Sequence, residues 1–455
     1  MKRLLTCLIA LVLILSVFTL SLYGCESGEQ SSEDQTSTAE SATEESEPMI
    51  INNDPAYSNI TLGKSYTLSG LHPNNDSPSY PDENNSSMTD GVRPAETAKY
   101  SDTTYAGFNK ISRSYVENGY AAVTVDLGGI FYVDKFVATV GSSYHLDVGI
   151  TAPEMMSVYI SNDGKEWFRA GTAQCEDITD KSAVDITLSL NGAMTARYVE
   201  YRFLGNGNWI MVAEVEAFGI PTKEAVAYPE QKDSVSFLFV GNSSTYYFNT
   251  PNKFQLICEA AGIDIEVYYC CVGGAYLSEY ADANNESCGK LLRQKLAERS
   301  YDYIVLQDNS NADYNESKPA LDIIMPLIKE NGAIPLLYKR YSSNDVPANR
   351  PASALKHHLN YTALAKDFAI DKVAPVADAF LICEKKYPNA PLFFTDNSHH
   401  SNAGSYLIAC VWAITYFDID ITNISYTAGL DSETLAAMID CAKLACEQGY
   451  DFPEQ

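Results

Sequence analysis

The chain has 455 residues, enough for more than one folded unit. Its formal net charge of −28 excludes nucleic acid as an expected partner, because phosphate backbones are held by clustered Lys and Arg. The hydrophobic share of 46% belongs to a globular protein and not to a disordered one.

At the start, Lys2 and Arg3 precede an apolar run over 4–22, which Gly24-Cys25 closes. A basic start, an apolar core and a small-residue exit describe a secretory signal over 1–25. An uncleaved membrane anchor is the alternative, since the run approaches spanning length. Leu22-Tyr23-Gly24-Cys25 resembles a bacterial lipobox, with Tyr23 a departure at a slot that is usually small. The resemblance implies lipidation of Cys25 and a place on the outer face of a bacterial cell membrane, held there by the lipid. Residues 26–49 then form an acidic linker. Within it, 26–47 is rich in Ser, Thr, Glu and Gln and has no Lys, Arg or aromatic residue, so it cannot bury a core.

Of the eleven cysteines, Cys7 and Cys25 fall in this segment, which leaves nine. The odd number and the lack of a Cys-x-x-Cys pair point away from zinc and from a dense disulfide framework. Cys258, Cys410, Cys441 and Cys446 fall in apolar helical patterns and read as small core residues.

Residues 50–220 read as all-β. Alternating runs such as Ala122-Val123-Thr124-Val125-Asp126-Leu127 and Tyr198-Val199-Glu200-Tyr201-Arg202-Phe203 are separated by turns such as Asn162-Asp163-Gly164. That spacing predicts a sandwich or jelly roll. Asn59-Ile60-Thr61-Leu62-Gly63-Lys64, Met88-Thr89-Asp90-Gly91, Ser161-Asn162-Asp163-Gly164-Lys165-Glu166-Trp167 and Glu214-Val215-Glu216-Ala217-Phe218-Gly219 resemble the galactose-binding-like (discoidin, coagulation-factor type C) family. The resemblance implies a glycan partner and a structural calcium, with Asp90 and Glu214 as candidate ligands. From the residues alone, Asp90 can equally be a plain turn residue and Glu214 a solvated strand position. Tyr80, Tyr105 and Trp209 are candidate platforms for sugar rings, although most sandwich aromatics are core.

A link over 221–233 leads into 234–455, where strand and helix patterns alternate. Strands are predicted at 236–240, 263–269, 303–306, 334–338 and 373–376. Helices are predicted from Thr250-Pro251, with Thr250 as N-cap and Gly262 closing, then at 288–298, 318–331, 402–417 and 432–448. Such alternation means a parallel sheet covered on both faces, a three-layer, flavodoxin-like arrangement. The fold class is therefore multidomain, a jelly-roll sandwich followed by an α/β domain. Because the link is short, the two parts should face a common ligand, and loss of 50–220 is expected to slow turnover of a polymer while sparing a small soluble ester.

The chemistry-bearing stretch is Gly241-Asn242-Ser243, at the end of the first predicted strand of the α/β part. Gly241 would allow a sharp turn. Far downstream runs Asp396-Asn397-Ser398-His399-His400. The pairing resembles the SGNH (GDSL-type) hydrolase family, which places a serine after its first strand and Asp and His three residues apart on a late loop. Ser243, His399 and Asp396 match the nucleophile, base and orienting acid. The resemblance also assigns the oxyanion hole to the Ser243 amide, Gly274 and Asn309. The block Gln307-Asp308-Asn309-Ser310 departs from the usual Gly-x-Asn-Asp and makes Gln307 a rival donor. Asn242 replaces an Asp, and His400 replaces a usual proline. His357 and His358 lie in a helical pattern and read as solvated.

These types suit acyl transfer. A serine hydroxyl needs a base in contact, an imidazole can take and return the proton, and neutral amides stabilise an oxyanion. The expected function is a cell-surface serine esterase that deacetylates O-acetylated carbohydrate through an acyl-serine, with no catalytic cofactor. The alternative is a non-catalytic glycan-binding lipoprotein with a degenerate hydrolase domain.

Overall fold

The computed structural model describes residues 48–69, 82, 86–102, 104–109, 115–116, 120–204, 209–229, 234–342 and 347–452. The expected signal, Cys25, the linker as far as Glu47, His72 and Tyr80 lie outside the described residues. No helix among the described residues is long and apolar enough to cross a membrane.

Alternation of apolar and polar residues builds the first sheet, which is antiparallel. Its strands are β1 (Ser58–Asn59), β2 (Tyr66–Ser69), β3 (Ala106–Asn109), β5 (Ala121–Gly141), β6 (Met155–Ser161), β7 (Phe168–Gln174), β8 (Ala183–Leu204) and β9 (Trp209–Pro221). They run in the order β1-β9-β5-β8-β6-β7, with β2 on β5 and β3 on β9. The long strands β5 and β8 lose register between Asp126 and Phe131, where the ladder bends. Inward residues such as Val123, Val125, Phe136, Val158, Tyr201 and Phe203 close its main core.

The second sheet runs β14-β13-β12-β10-β11-β4. Five of its strands are parallel: β10 (Val235–Gly241), β11 (Ile265–Val272), β12 (Tyr303–Leu306), β13 (Ile334–Tyr338) and β14 (Val373–Ala374). The central strand β10 is apolar on both faces, as a strand covered on both sides must be. Phe237 and Phe239 face one way, against Phe254 of α2 (Thr250–Ala260) and Trp412 of α8 (Asn402–Phe417). Leu238 and Val240 face the other way, in a core with Leu292 of α4 (Gly289–Glu298) and Leu321 and Ile324 of α5 (Tyr314–Asn331). The remaining helices are α1 (Ser243–Tyr246), α3 (Leu277–Ala281), α6 (Arg350–Asp367), α7 (Val376–Lys386) and α9 (Ser432–Gln448).

The sixth strand comes from elsewhere in the chain. β4 (Tyr115–Val116) belongs to the stretch read as sandwich, yet it pairs antiparallel with β11, Val116 opposite Cys271. The two parts meet in other places too. Met155 and Leu204 of the first sheet enter the core of the second. Arg169 of β7 reaches Glu259 at 2.5 Å and Asp264 at 2.8 Å.

Three local expectations change. Asn249, not Thr250, occupies the N-cap position of α2, with no side-chain capping bond, and the Thr250 hydroxyl donates to the Tyr247 carbonyl at 2.8 Å. His357 is buried, and burial pushes its imidazole down to about 3, so it is a neutral core residue and not a solvated one. Tyr105 is also core, with its hydroxyl on the Ser182 carbonyl at 3.1 Å, which removes it as a sugar platform. Trp209 is partly buried against that same cluster.

Candidate active site

β10, β11 and β12 run parallel, so the turns that follow them gather at one sheet edge, the usual place for chemistry in an open α/β sheet. Ser243 opens α1 there. Asn242 caps the helix, its carboxamide oxygen accepting from the Ser244 amide at 3.0 Å. The nitrogen of the same side chain donates to the Ala275 carbonyl at 2.9 Å, a bond an ionised aspartate cannot make. Gly241 is needed for space and not for a left-handed turn. A Cβ there would lie 2.7 Å from both Gln307 Oε1 and Thr245 Oγ1, and its φ is not positive.

The loop before α8 brings the other two residues in. Ser243 Oγ lies 2.8 Å from His399 Nε2, and His399 Nδ1 lies 2.7 Å from Asp396 Oδ2. With Nδ1–H donating to the carboxylate, Nε2 is left free to accept the serine proton. The other carboxylate oxygen accepts the amides of Ser398 and His399, each at 2.9 Å, across a turn that puts Asn397 at φ 53°. Burial pushes the Asp396 carboxyl up, but the bonds from His399 and Ser398 outweigh it and hold it below the usual range.

Tyr247 completes the setting, and no motif in the sequence marked it. Its ring stacks on His399 with centroids 4.3 Å apart and planes 18° off parallel. Behind it, buried His400 donates from Nε2 to the Tyr247 carbonyl at 2.8 Å, while Nδ1 meets the Tyr341 hydroxyl at 3.1 Å. Burial pushes His400 down to about 3, so it stays a neutral strut at physiological pH.

The oxyanion candidates divide. No acceptor among the described residues takes the Ser243 or the Gly274 backbone N–H. Gly274 sits at φ 73°, a left-handed turn that favours glycine. Asn309 is half-buried and gives one of its two side-chain N–H groups to the Gly274 carbonyl at 2.7 Å, which ties the two turns together. Gln307 is only 1% exposed. Its oxygen accepts the Asn242 amide at 3.1 Å and the Thr245 hydroxyl at 2.8 Å, and its nitrogen donates to the Asp308 carbonyl. Gln307 therefore supports the turn from below and is no rival donor. Buried Asp308 clamps both turns, accepting from the Leu277 and Asn309 amides and the Ser317 hydroxyl at 2.7–2.8 Å.

In the first sheet, Glu214 is fully buried, not solvated as the plain strand reading had it, and both its oxygens face the Gly91 amide at 3.1 and 3.2 Å. Burial pushes its carboxyl up to about 8, and nearby Asp90 adds to the rise. The Asp90 carboxylate accepts the Val92 amide at 2.7 Å. A buried carboxylate next to a second one suits a cation, although no three His, Cys, Asp or Glu side chains cluster as metal ligands among the described residues.

A cleft of about 650 Å3 lies where the two parts meet. The α/β part supplies Phe248, Asn402 and residues 426–429, and the part built on the first sheet supplies 151–154 and 174–177. Through Phe248 and Asn402 the cleft borders the turn between α1 and α2 and the start of α8.

No family model and no curated protein matches the sequence. Solved structures similar to the chain include a DUF4886 family protein from Bacteroides uniformis, 18% identical, covering 49% of this chain and 98% of that one with a TM-score of 0.41. A candidate SGNH hydrolase from Slackia heliotrinireducens is 23% identical over 40% of this chain and 100% of its own, with a TM-score of 0.35. A family 32 carbohydrate-binding module from Clostridium perfringens, solved with galactose, is 13% identical over 36% and 98%, with a TM-score of 0.26. The structural neighbours thus include both an SGNH-type protein and galactose-binding-like modules.

Proposed function

We propose that the protein is a serine ester hydrolase of the SGNH type that removes small acyl groups, acetyl first among them, from carbohydrate. The observation that carries this is the unbroken Ser243–His399–Asp396 relay at 2.8 and 2.7 Å. In this reading Ser243 Oγ attacks the acyl carbon as its proton passes to His399 Nε2. The Ser243 and Gly274 amides and the free N–H of Asn309 hold the tetrahedral oxyanion. The sugar oxygen leaves with the proton from His399. Water then enters by the same base and frees the acid from Ser243. No step calls on a metal or cofactor.

The relay favours this reading over a purely glycan-binding one, because a binding protein has no need of a serine, imidazole and carboxylate in line. The cleft beside the turn is where the polymer would lie, with Phe248 for a sugar face and Gln174, Glu176 and Asn402 for its hydroxyls. With Cys25 lipidated, the linker would hold the enzyme at the cell surface.

Aryl esters of rising chain length test the acyl preference. Acetyl should be cleaved fastest, and an O-acetylated glycan should release acetate. Faster cleavage of long-chain esters would overturn the assignment to small acyl groups.

Asp90 and Glu214 would hold the proposed calcium, neutralising a buried carboxylate with hard oxygen ligands. Calcium should raise the melting temperature of wild-type protein, and EDTA should reverse the rise. Glu214→Gln should remove the response. A melting temperature indifferent to calcium and EDTA would dismiss the site.

A further inference from the structure

We propose that Glu154, on the sandwich, is a positioning residue for His399, acting through Lys253 and the turn that carries Tyr247. The inference rests on His399 being the catalytic base.

The turn between α1 and α2 holds two consecutive non-glycine residues in the left-handed region, Phe248 at φ 48° and Asn249 at φ 52°. Such backbone is costly and persists only where its surroundings fix it. Here both carbonyls of the turn are fixed. The Tyr247 carbonyl is held by the Thr250 hydroxyl and His400. The Phe248 carbonyl is held by the Lys253 ammonium at 2.8 Å. These restraints set the Tyr247 ring, which backs the His399 imidazole.

Lys253 has no exposed side chain, and Glu154, 2.6 Å away, supplies a counter-charge to its buried ammonium. The second oxygen of Glu154 accepts the Tyr426 hydroxyl at 2.7 Å. Its backbone is locked on both sides, its amide donating to the Leu204 carbonyl at 2.6 Å and its carbonyl accepting the Cys175 amide at 2.9 Å. A carboxylate fixed in one domain thus anchors an ammonium in the other, and the ammonium anchors the turn behind the base. On this account the sandwich is part of the catalytic apparatus, beyond any role in holding glycan. Misplacing a catalytic group by about 1 Å can cost on the order of a hundredfold in rate.

Two variants test this in the full-length protein with aryl acetate, a small substrate that needs no glycan contact. Glu154→Gln keeps Lys253 but removes its counter-charge. Glu154→Gln with Lys253→Met removes both charges, so no unpaired ion is left buried and folding is spared. In each, kcat per folded molecule should fall about tenfold to a hundredfold with KM little changed. The NMR signals of the His399 ring, displaced by the stacked Tyr247 in wild type, should move toward ordinary positions. A folded double variant with wild-type kcat and wild-type His399 signals overturns the proposal. A wild type that cleaves no ester sinks the esterase reading, while the His399 signals still report whether Glu154 sets the ring.

Discussion

Ser243→Ala protein is expected to fold as wild type does and to lose ester hydrolysis by about 10⁴-fold or more in kcat. The hydroxyl is the atom that bonds to the acyl carbon, and its methyl replacement offers nothing for His399 to activate. The loss should not be total, because the Ser243, Gly274 and Asn309 donors still favour an oxyanion formed by attack of water. His399→Ala should cost about as much, since serine and imidazole act as a unit. Asp396→Asn should cost less. It keeps the turn, because an amide oxygen can still accept from Ser398 and His399, but it gives up the charge that stabilises the imidazolium. Rates on aryl acetate, normalised to folded protein, check the order. Full activity in Ser243→Ala would remove the assignment.

Excising residues 50–220 is expected to leave no folded hydrolase at all, and so no activity even on the smallest ester. The β4 strand would vanish from the edge of β11 and leave its backbone groups open to aggregation. Lys253 would keep a buried charge without Glu154, a loss of about 3–5 kcal/mol for broken pairs of this kind. Met155 and Leu204 would leave the second core, at about 2–5 kcal/mol for each large side chain. Together these rival the whole stability of an ordinary domain, about 5–15 kcal/mol. Chemical denaturation of the excised protein checks this. A cooperative transition with wild-type turnover of aryl acetate would show the parts to be independent.

This reverses what the sequence suggests. A β-patterned stretch followed by an α/β-patterned one reads as two domains, the first of which can be lost without ending turnover of a small ester. Nothing in Tyr115-Val116 announces that it pairs with a strand 150 residues on, because strand partners are chosen by tertiary packing and not by local pattern. The parallel strands were legible for the opposite reason. Tyr303–Leu306 and Ile334–Tyr338 are short apolar runs bounded by turn residues, and the structure places strands on those residues.

The site was legible to a similar depth. Ser243, Asp396 and His399 stand out because each sits in a turn with a recognisable neighbour pattern. Gln307 misled, because an amide at a strand end looks like an oxyanion donor until its two bonds beneath the turn are seen. Tyr247, Lys253 and Glu154 left no signal. A stacked ring and a buried ion pair are defined by distance in space, and in the sequence they are one tyrosine, one lysine and one glutamate among many.

A fluorophosphonate carrying a reporter tests the central claim most directly, because it bonds only to a serine whose hydroxyl is activated by a base in contact. The account predicts one label per molecule of folded wild-type protein, on Ser243, absent from Ser243→Ala and strongly slowed in His399→Ala. Folded wild-type protein that takes up no label, or takes it up on another residue, would contradict it.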